Sequence, residues 1–155
     1  MKNCLYLFLI LLFVTNCGKR QNKNFTNKGI EESGVEQKEN YTILIEGDNQ
    51  ILKLNEEGKV RVKIRASNNF HINKDYPTKF VLLEVKGGGE IIGGEVLDRS
   101  HAEIPSEELL IFTIPFKVNK EGEVEFLGEL KFSLCSETSC IMPKEKIKWK
   151  AKGEK

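Results

Sequence analysis

The chain has 155 residues, 39% of them hydrophobic and 30% charged, which is material for one domain and excludes a multidomain enzyme. With 24 Lys+Arg against 23 Asp+Glu the net charge is +1, so there is no cationic field to hold a phosphate backbone, and nucleic acid is not an expected partner. Four cysteines, Cys4, Cys17, Cys135 and Cys140, lie at the two ends of the chain and are not expected to share one task.

Lys2 precedes an unbroken apolar run from Cys4 to Val14. A membrane-spanning helix needs about 20 such residues, and this run has instead the length of a signal-peptide core. The segment that follows, Val14-Thr15-Asn16-Cys17-Gly18, resembles the lipobox of bacterial lipoproteins, with Asn16 standing where that family places Gly, Ala or Ser. The resemblance implies a signal peptide over 1–16, removed on export, and a diacylated Cys17 as the new N-terminus. It also implies a protein of the cell envelope, held to a bacterial membrane through lipid on Cys17, with its domain facing the periplasm or the exterior. An ordinary secretory signal and an uncleaved anchor are the alternatives. Removal of 1–16 discards Cys4 and Lys2 and leaves cations and carboxylates equal in number.

Gly18 to Asn40 is polar and has no sustained apolar period, so it cannot bury a face. It reads as a flexible tether, making 17–40 a lipidated cysteine plus linker with a reach of roughly 25 to 30 Å. Two acyl chains suffice for stable anchoring without a spanning helix.

From Tyr41 onward the apolar period is two, the mark of half-buried strands. Tyr41 to Ile45 and Ile51 to Leu54 come first. In Lys59 to Ala66, Val60, Val62, Ile64 and Ala66 alternate with Lys59, Arg61, Lys63 and Arg65. Phe70 to Pro77 reads as a long polar turn, with Tyr76-Pro77 restarting an edge strand. Phe80 to Val85 and Leu110 to Val118 follow. Val124 to Leu134 places Val124, Phe126, Leu130, Phe132 and Leu134 inside, and the last strand places Ile147, Trp149 and Ala151 inside against Lys146, Lys148 and Lys150. The basic alternations are solvated strand faces. Turn residues punctuate the strands, as in Glu46-Gly47-Asp48-Asn49, Gly87-Gly88-Gly89 and Asn119-Lys120-Glu121-Gly122. The expected fold of 41–155 is therefore an all-β, immunoglobulin-like sandwich of about seven or eight strands. No segment holds a helical period over ten residues, and there is no P-loop, GxGxxG or GxSxG motif.

Cys135 and Cys140 sit five positions apart, across a turn between the strand ending at Leu134 and the strand around Trp149. In an exported protein the compartment permits a disulfide, and two strand ends at a tight turn bring Cα atoms within bonding reach. Closing so small a ring stabilises by only about 2 kcal/mol in the loop-entropy model. So local a bridge is a weak staple for a domain that already has a core, which raises the alternative that it is kept for its chemistry.

The stretch from about Val60 to Ala151 resembles the N-terminal periplasmic domain of the thiol:disulfide interchange protein DsbD, the disulfide bond corrector family. The residues that carry the likeness are Asn69-Phe70-His71-Ile72-Asn73, the strand Leu109 to Val118 with Pro115, and Phe132-Ser133-Leu134-Cys135 followed by Cys140-Ile141-Met142-Pro143. The resemblance implies an immunoglobulin-like domain whose two cysteines cycle between dithiol and disulfide with a thioredoxin-like protein as partner. By the same resemblance Cys140 bonds to the partner and Cys135 resolves the mixed disulfide. Phe70, His71, His101 and Glu137 are the expected rim residues; a carboxylate as near as Glu137 raises a thiol pKa or accepts its proton. The family's shielding loop carries an aromatic cap, and the corresponding region, Val96 to Ile104, offers only His101 as a flat side chain.

Two other readings compete. One is a lipid-anchored binding or envelope-assembly module with a structural disulfide. The other is a zinc site made of His71, His101, Cys135 and Cys140; the two histidines are far apart in sequence and neither belongs to a short ligand pair, so neither metal nor cofactor is expected.

Overall fold

The structure is a computed structural model and describes residues 34–155. The signal peptide, Cys17 and most of the expected tether lie outside the described residues. In chain order the elements are β1 (Val35–Gln37), β2 (Tyr41–Glu46), β3 (Gln50–Lys53), β4 (Glu57–Ala66), β5 (His71–Ile72), β6 (Lys79–Lys86), β7 (Gly89–Ile91), β8 (Val96–Leu97), a 3-10 turn (Arg99–His101), β9 (Ala102–Ser106), β10 (Leu109–Val118), β11 (Gly122–Lys131), β12 (Leu134–Cys135), β13 (Cys140–Ile141) and β14 (Lys144–Glu154).

These strands form two large sheets and one small one. The first has the order β1-β2-β4-β10, with β7 and β9 both pairing with β10; the second has the order β3-β14-β11-β6-β8. Taken in chain order, β2, β4, β10 and the β7 and β9 edge reproduce the A, B, E and D strands of an immunoglobulin sandwich, while β6, β11 and β14 are its C, F and G strands. The fold is thus an all-β, immunoglobulin-like sandwich. Its first strand is divided between the sheets: β2 pairs antiparallel with β4, and β3 pairs parallel with β14 from Gln50↔Ala151 to Lys53↔Glu154. The crossing is the turn at Gly47 (φ 86°), where a Cβ would collide with the Lys59 carbonyl. Asp48 fixes the turn by accepting a 2.7 Å hydrogen bond from the Lys150 backbone N–H.

The period-two pattern becomes the core. Val60, Val62 and Ile64 of β4 and Phe112, Ile114 and Phe116 of β10 are fully buried against Val124, Phe126 and Leu130 of β11 and Ile147 and Trp149 of β14. Phe116 bridges the layers, its ring 5.1 Å from that of Phe126 and 5.9 Å from that of Trp149; Trp149 in turn stacks on Phe126 at 4.8 Å and 5°. Gly128 lies where β11 shifts register against β6, and any Cβ there would overlap the Phe80 ring. Three lysines of β14 face acids across the ladder (Glu125↔Lys150, Glu123↔Lys152, Glu129↔Lys146). Glu125 sits 3.0 Å from Lys150 and 3.4 Å from Lys148, and these cations hold its carboxyl below the usual range.

Two boundaries differ from expectation. The tether does not run to Asn40, because Val35–Gln37 forms β1 on the edge of β2; all three residues are exposed, and the strand exists through backbone pairing that an apolar-period argument does not see. The long apolar run of Val124 to Leu134 is not one strand: β11 ends at Lys131, and the buried Phe132, Ser133 and Leu134 carry the chain out of the second sheet into the small one, β13-β12-β5.

Candidate functional site

The small sheet at one end of the sandwich positions the cysteines. In the β12–β13 hairpin Cys135 stands directly opposite Cys140, and on the other side of β12 Cys135 stands opposite His71 of β5. Directly opposed antiparallel residues project to the same face, so His71, Cys135 and Cys140 form one row. The alternate row, Ile72 and Leu134 with the half-buried Ile141, points into the core. Period two therefore seats the small sheet on the sandwich with its apolar face and turns both sulfurs outward.

The hydrogen bonds fix which pairs come closest. Ser136 N–H donates to the Ser139 carbonyl at 2.7 Å, and Asn73 N–H donates to the Ser133 carbonyl at 2.9 Å. By alternation Cys135/Cys140 is a non-hydrogen-bonded pair, the closer of the two antiparallel spacings. Its Cα atoms are 4.0 Å apart, and the two sulfurs form a disulfide. The Ser136 hydroxyl accepts a 3.2 Å hydrogen bond from Ser139 N–H, leaving Glu137 and Thr138 at the exposed tip. The bridge is asymmetric: Cys140 is exposed and Cys135 is half-buried.

An open cleft of about 850 Å³ lies beside this hairpin, between the Ser136–Ser139 turn and a wall made of Asn68, Asn69 and Phe70 with Glu107 and Glu108. Ser67–Phe70 is a tight turn closed by Phe70 N–H to the Ser67 carbonyl at 3.1 Å, with Asn68 (φ 53°) and Asn69 (φ 63°) both left-handed. Asparagine tolerates that conformation better than other residues with a Cβ. The Asn68 side chain donates to the Glu39 carbonyl at 2.6 Å, and Ser67 N–H donates to the Asn40 carbonyl at 2.9 Å. Beneath, Tyr41 packs edge-on against Phe132 at 5.3 Å and donates its hydroxyl proton to Glu145, so the segments on both sides of the hairpin are tied to β2. Burial, then the hydrogen bond to Glu145, pushes the Tyr41 phenol above its ordinary range.

Of the expected rim residues, Phe70, His71 and Glu137 line the cleft. His101 does not. It ends the 3-10 turn capped by Asp98 and lies against Phe112, with ring centroids 6.2 Å apart. The Ser100 hydroxyl and backbone N–H hold the Asp98 carboxyl below its ordinary range. The Val96–Ile104 region is thus β8, this turn and the start of β9, paired with β6 and β10 instead of shielding the bridge. The wall beside the bridge comes from the Asn68–Phe70 and Glu107–Glu108 turns. Among the described residues no three His, Cys, Asp or Glu side chains gather as metal ligands. The zinc set of His71, His101, Cys135 and Cys140 is divided, with both sulfurs bonded to each other.

Glu107 and Glu108 carry no sequence signal of a site, because they occupy an ordinary hairpin turn between β9 and β10. Only the pairing of Ile72 N–H with the Glu107 carbonyl at 2.6 Å brings that turn to β5.

The fold and site together define an immunoglobulin-like sandwich with a solvent-facing disulfide at one end. No protein-family model and no curated protein matches the chain. Among solved structures the chain is similar to AggA, the major subunit of aggregative adherence fimbriae type I from Escherichia coli, at 9% identity and a TM-score of 0.38, over 74% of this chain and 94% of that one. It is also similar to the ASH/PapD-like domain 7 of human CEP192, at 11% identity and a TM-score of 0.30, over 94% of this chain and 96% of that one.

Proposed function

We propose that the Cys135–Cys140 bridge is a redox couple, and that the protein is a lipid-anchored envelope carrier exchanging electrons with a thioredoxin-like partner. The observation that carries this reading is the asymmetric exposure of the bridge: Cys140 is open to solvent and Cys135 half-buried beside it, while the hairpin turn that joins them, Ser136–Ser139, lines the cleft. A staple between core strands needs no access, whereas exchange requires a partner thiolate to reach one sulfur in line with the bond. The weak stabilisation expected of so short a ring, about 2 kcal/mol, argues the same way. The hairpin's likeness to the disulfide bond corrector family adds the roles: Cys140 takes the partner and Cys135 resolves.

The reduction potential decides between exchange and stapling. Equilibrated against thiol–disulfide buffers, the domain should titrate above about −300 mV; a lower value, typical of structural bridges, would overturn the carrier reading. The anchor is tested separately. The intact mass of the mature N-terminal peptide should correspond to Cys17 carrying acyl chains, and an unmodified Cys17 would overturn lipidation.

A further inference from the structure

We infer that His71 is the proton partner of Cys135 in the resolving step; the inference rests on the exchange reading above. His71 is held on the same outward row as the two sulfurs by the β5–β12 register, directly opposite Cys135. By the alternation set at Asn73/Ser133, His71/Cys135 is a hydrogen-bonded pair, with Cβ atoms near the upper end of the about 4.5 to 5.5 Å range, a spacing from which an imidazole reaches a neighbouring thiol. Both His71 and Cys135 line a second, smaller concavity of about 240 Å³. No side-chain hydrogen bond or ion pair engages the His71 ring among the described residues. The imidazole is exposed and free to turn toward either nitrogen.

The sulfur that needs help is Cys135. Half-buried and on the sheet's inner position of the row, it is the one less able to ionise by hydration, because burial disfavours the thiolate. The charged groups around the imidazole are Glu107 and Glu108 from the β9–β10 turn, Glu137 from the β12–β13 turn, and Lys74 and Asp75 from the turn after β5. Lys74 is paired with Glu107 at 4.0 Å.

When the domain is reduced, the thiolate of a partner or of a small dithiol attacks Cys140 Sγ and the Cys135–Cys140 bond breaks. Cys135 leaves with the electron pair and takes a proton from the His71 imidazolium; the second thiolate of the partner or dithiol then attacks its own mixed-disulfide sulfur and releases Cys140 as a thiolate. When the domain acts as reductant, the Cys140 thiolate attacks one sulfur of the partner's disulfide, that disulfide breaks, its other sulfur leaves as a thiolate protonated from solvent, and Cys140 is joined to the partner. His71 accepts the Cys135 thiol proton, Cys135 attacks Cys140 Sγ, and the partner's sulfur leaves as a thiolate that is protonated from solvent. The domain loses two electrons and the partner's disulfide becomes a dithiol.

The probe is dithiothreitol acting on the oxidised protein, with rates measured from pH 5 to 9 and divided by the dithiothreitol thiolate concentration. Assistance by imidazolium makes the normalised rate fall as the pH rises through the imidazole titration. His71→Gln should flatten that fall and lower the normalised rate at pH 6 by about tenfold. In His71→Ala, added imidazole should restore part of the rate in proportion to its protonated fraction. An unchanged pH profile in His71→Gln, or a His71→Ala variant indifferent to imidazole, would overturn the role, since a residue that only shapes the sheet changes neither. A potential in the exchange range together with an unchanged profile removes His71 alone. A potential in the structural range removes the exchange reading and this inference with it.

Discussion

Cys135→Ser should accumulate a mixed disulfide between Cys140 and the partner, whereas Cys140→Ser should accumulate none and lose exchange altogether. The asymmetry follows from position. Cys140 begins β13 in an exposed position, open to a partner's sulfur from solvent; Cys135 sits between Cys140 and His71 in the middle of a three-stranded row. With Cys135 present, a mixed disulfide on Cys140 is short-lived, because the resolving sulfur is its cross-strand neighbour at a Cα separation of 4.0 Å. That proximity acts as a high local concentration of thiol, the kind of effect that accelerates intramolecular steps by several orders of magnitude. Removing Cys135 removes the resolving step and leaves the capture. The measurement is non-reducing electrophoresis of acid-quenched cells expressing each variant, followed by identification of any adduct. Equal adducts from both variants would contradict the assignment of roles, and no adduct from Cys135→Ser would contradict capture by Cys140.

Neither variant should unfold the domain, because the bridge is remote from the source of stability. Trp149→Ala, by contrast, should cost about 3 to 5 kcal/mol. Trp149 is 1% exposed and is surrounded by aromatic rings from both sheets: Phe126 at 4.8 Å, Phe116 at 5.9 Å and Phe80 at 6.0 Å. These neighbours sit on long, fully paired strands that cannot collapse into the space an indole leaves, so the cavity persists and its cost adds to the lost burial. Against a total of about 5 to 15 kcal/mol for a domain of this kind, that loss is a large fraction. The urea midpoint of Trp149→Ala should fall accordingly, by far more than the reduction of the bridge lowers it. A shift smaller than that caused by reduction would mean that the hairpin, not the aromatic core, limits stability.

The parts of this architecture that were legible in the sequence are those governed by burial of side chains. The alternations in Lys59–Ala66, Leu110–Val118 and the final strand gave strands with the expected faces inward, since one wrong register would expose every core residue at once. The cysteine hairpin was legible because its turn is local. The illegible parts are those governed by backbone pairing alone. β1 has no buried side chain, and β5 is two residues long, within a stretch that reads as a polar turn. The β5 pairing nevertheless decides the site, because it converts His71 from a loop residue near the cysteines into the direct neighbour of one of them. His101 shows the converse: it is the flat side chain in the region expected to shield the bridge, but its 3-10 turn runs straight into β9, whose Ala102 pairs with Phe112, and this sets the imidazole against Phe112.

The division of the first strand between the two sheets has a consequence for how the domain is made. β3 can pair only with β14, and in parallel, so the second sheet gains its outermost strand only when residues 50–53 meet residues 151–154. A chain emerging from its N-terminus, from a ribosome or through a membrane pore, carries β3 as an unsatisfied edge until nearly the whole domain is out. Bringing ends about a hundred residues apart together is costly in chain entropy and slow, as for other sandwiches dominated by distant contacts. Completion at the last strand makes the closure of the second sheet a late event.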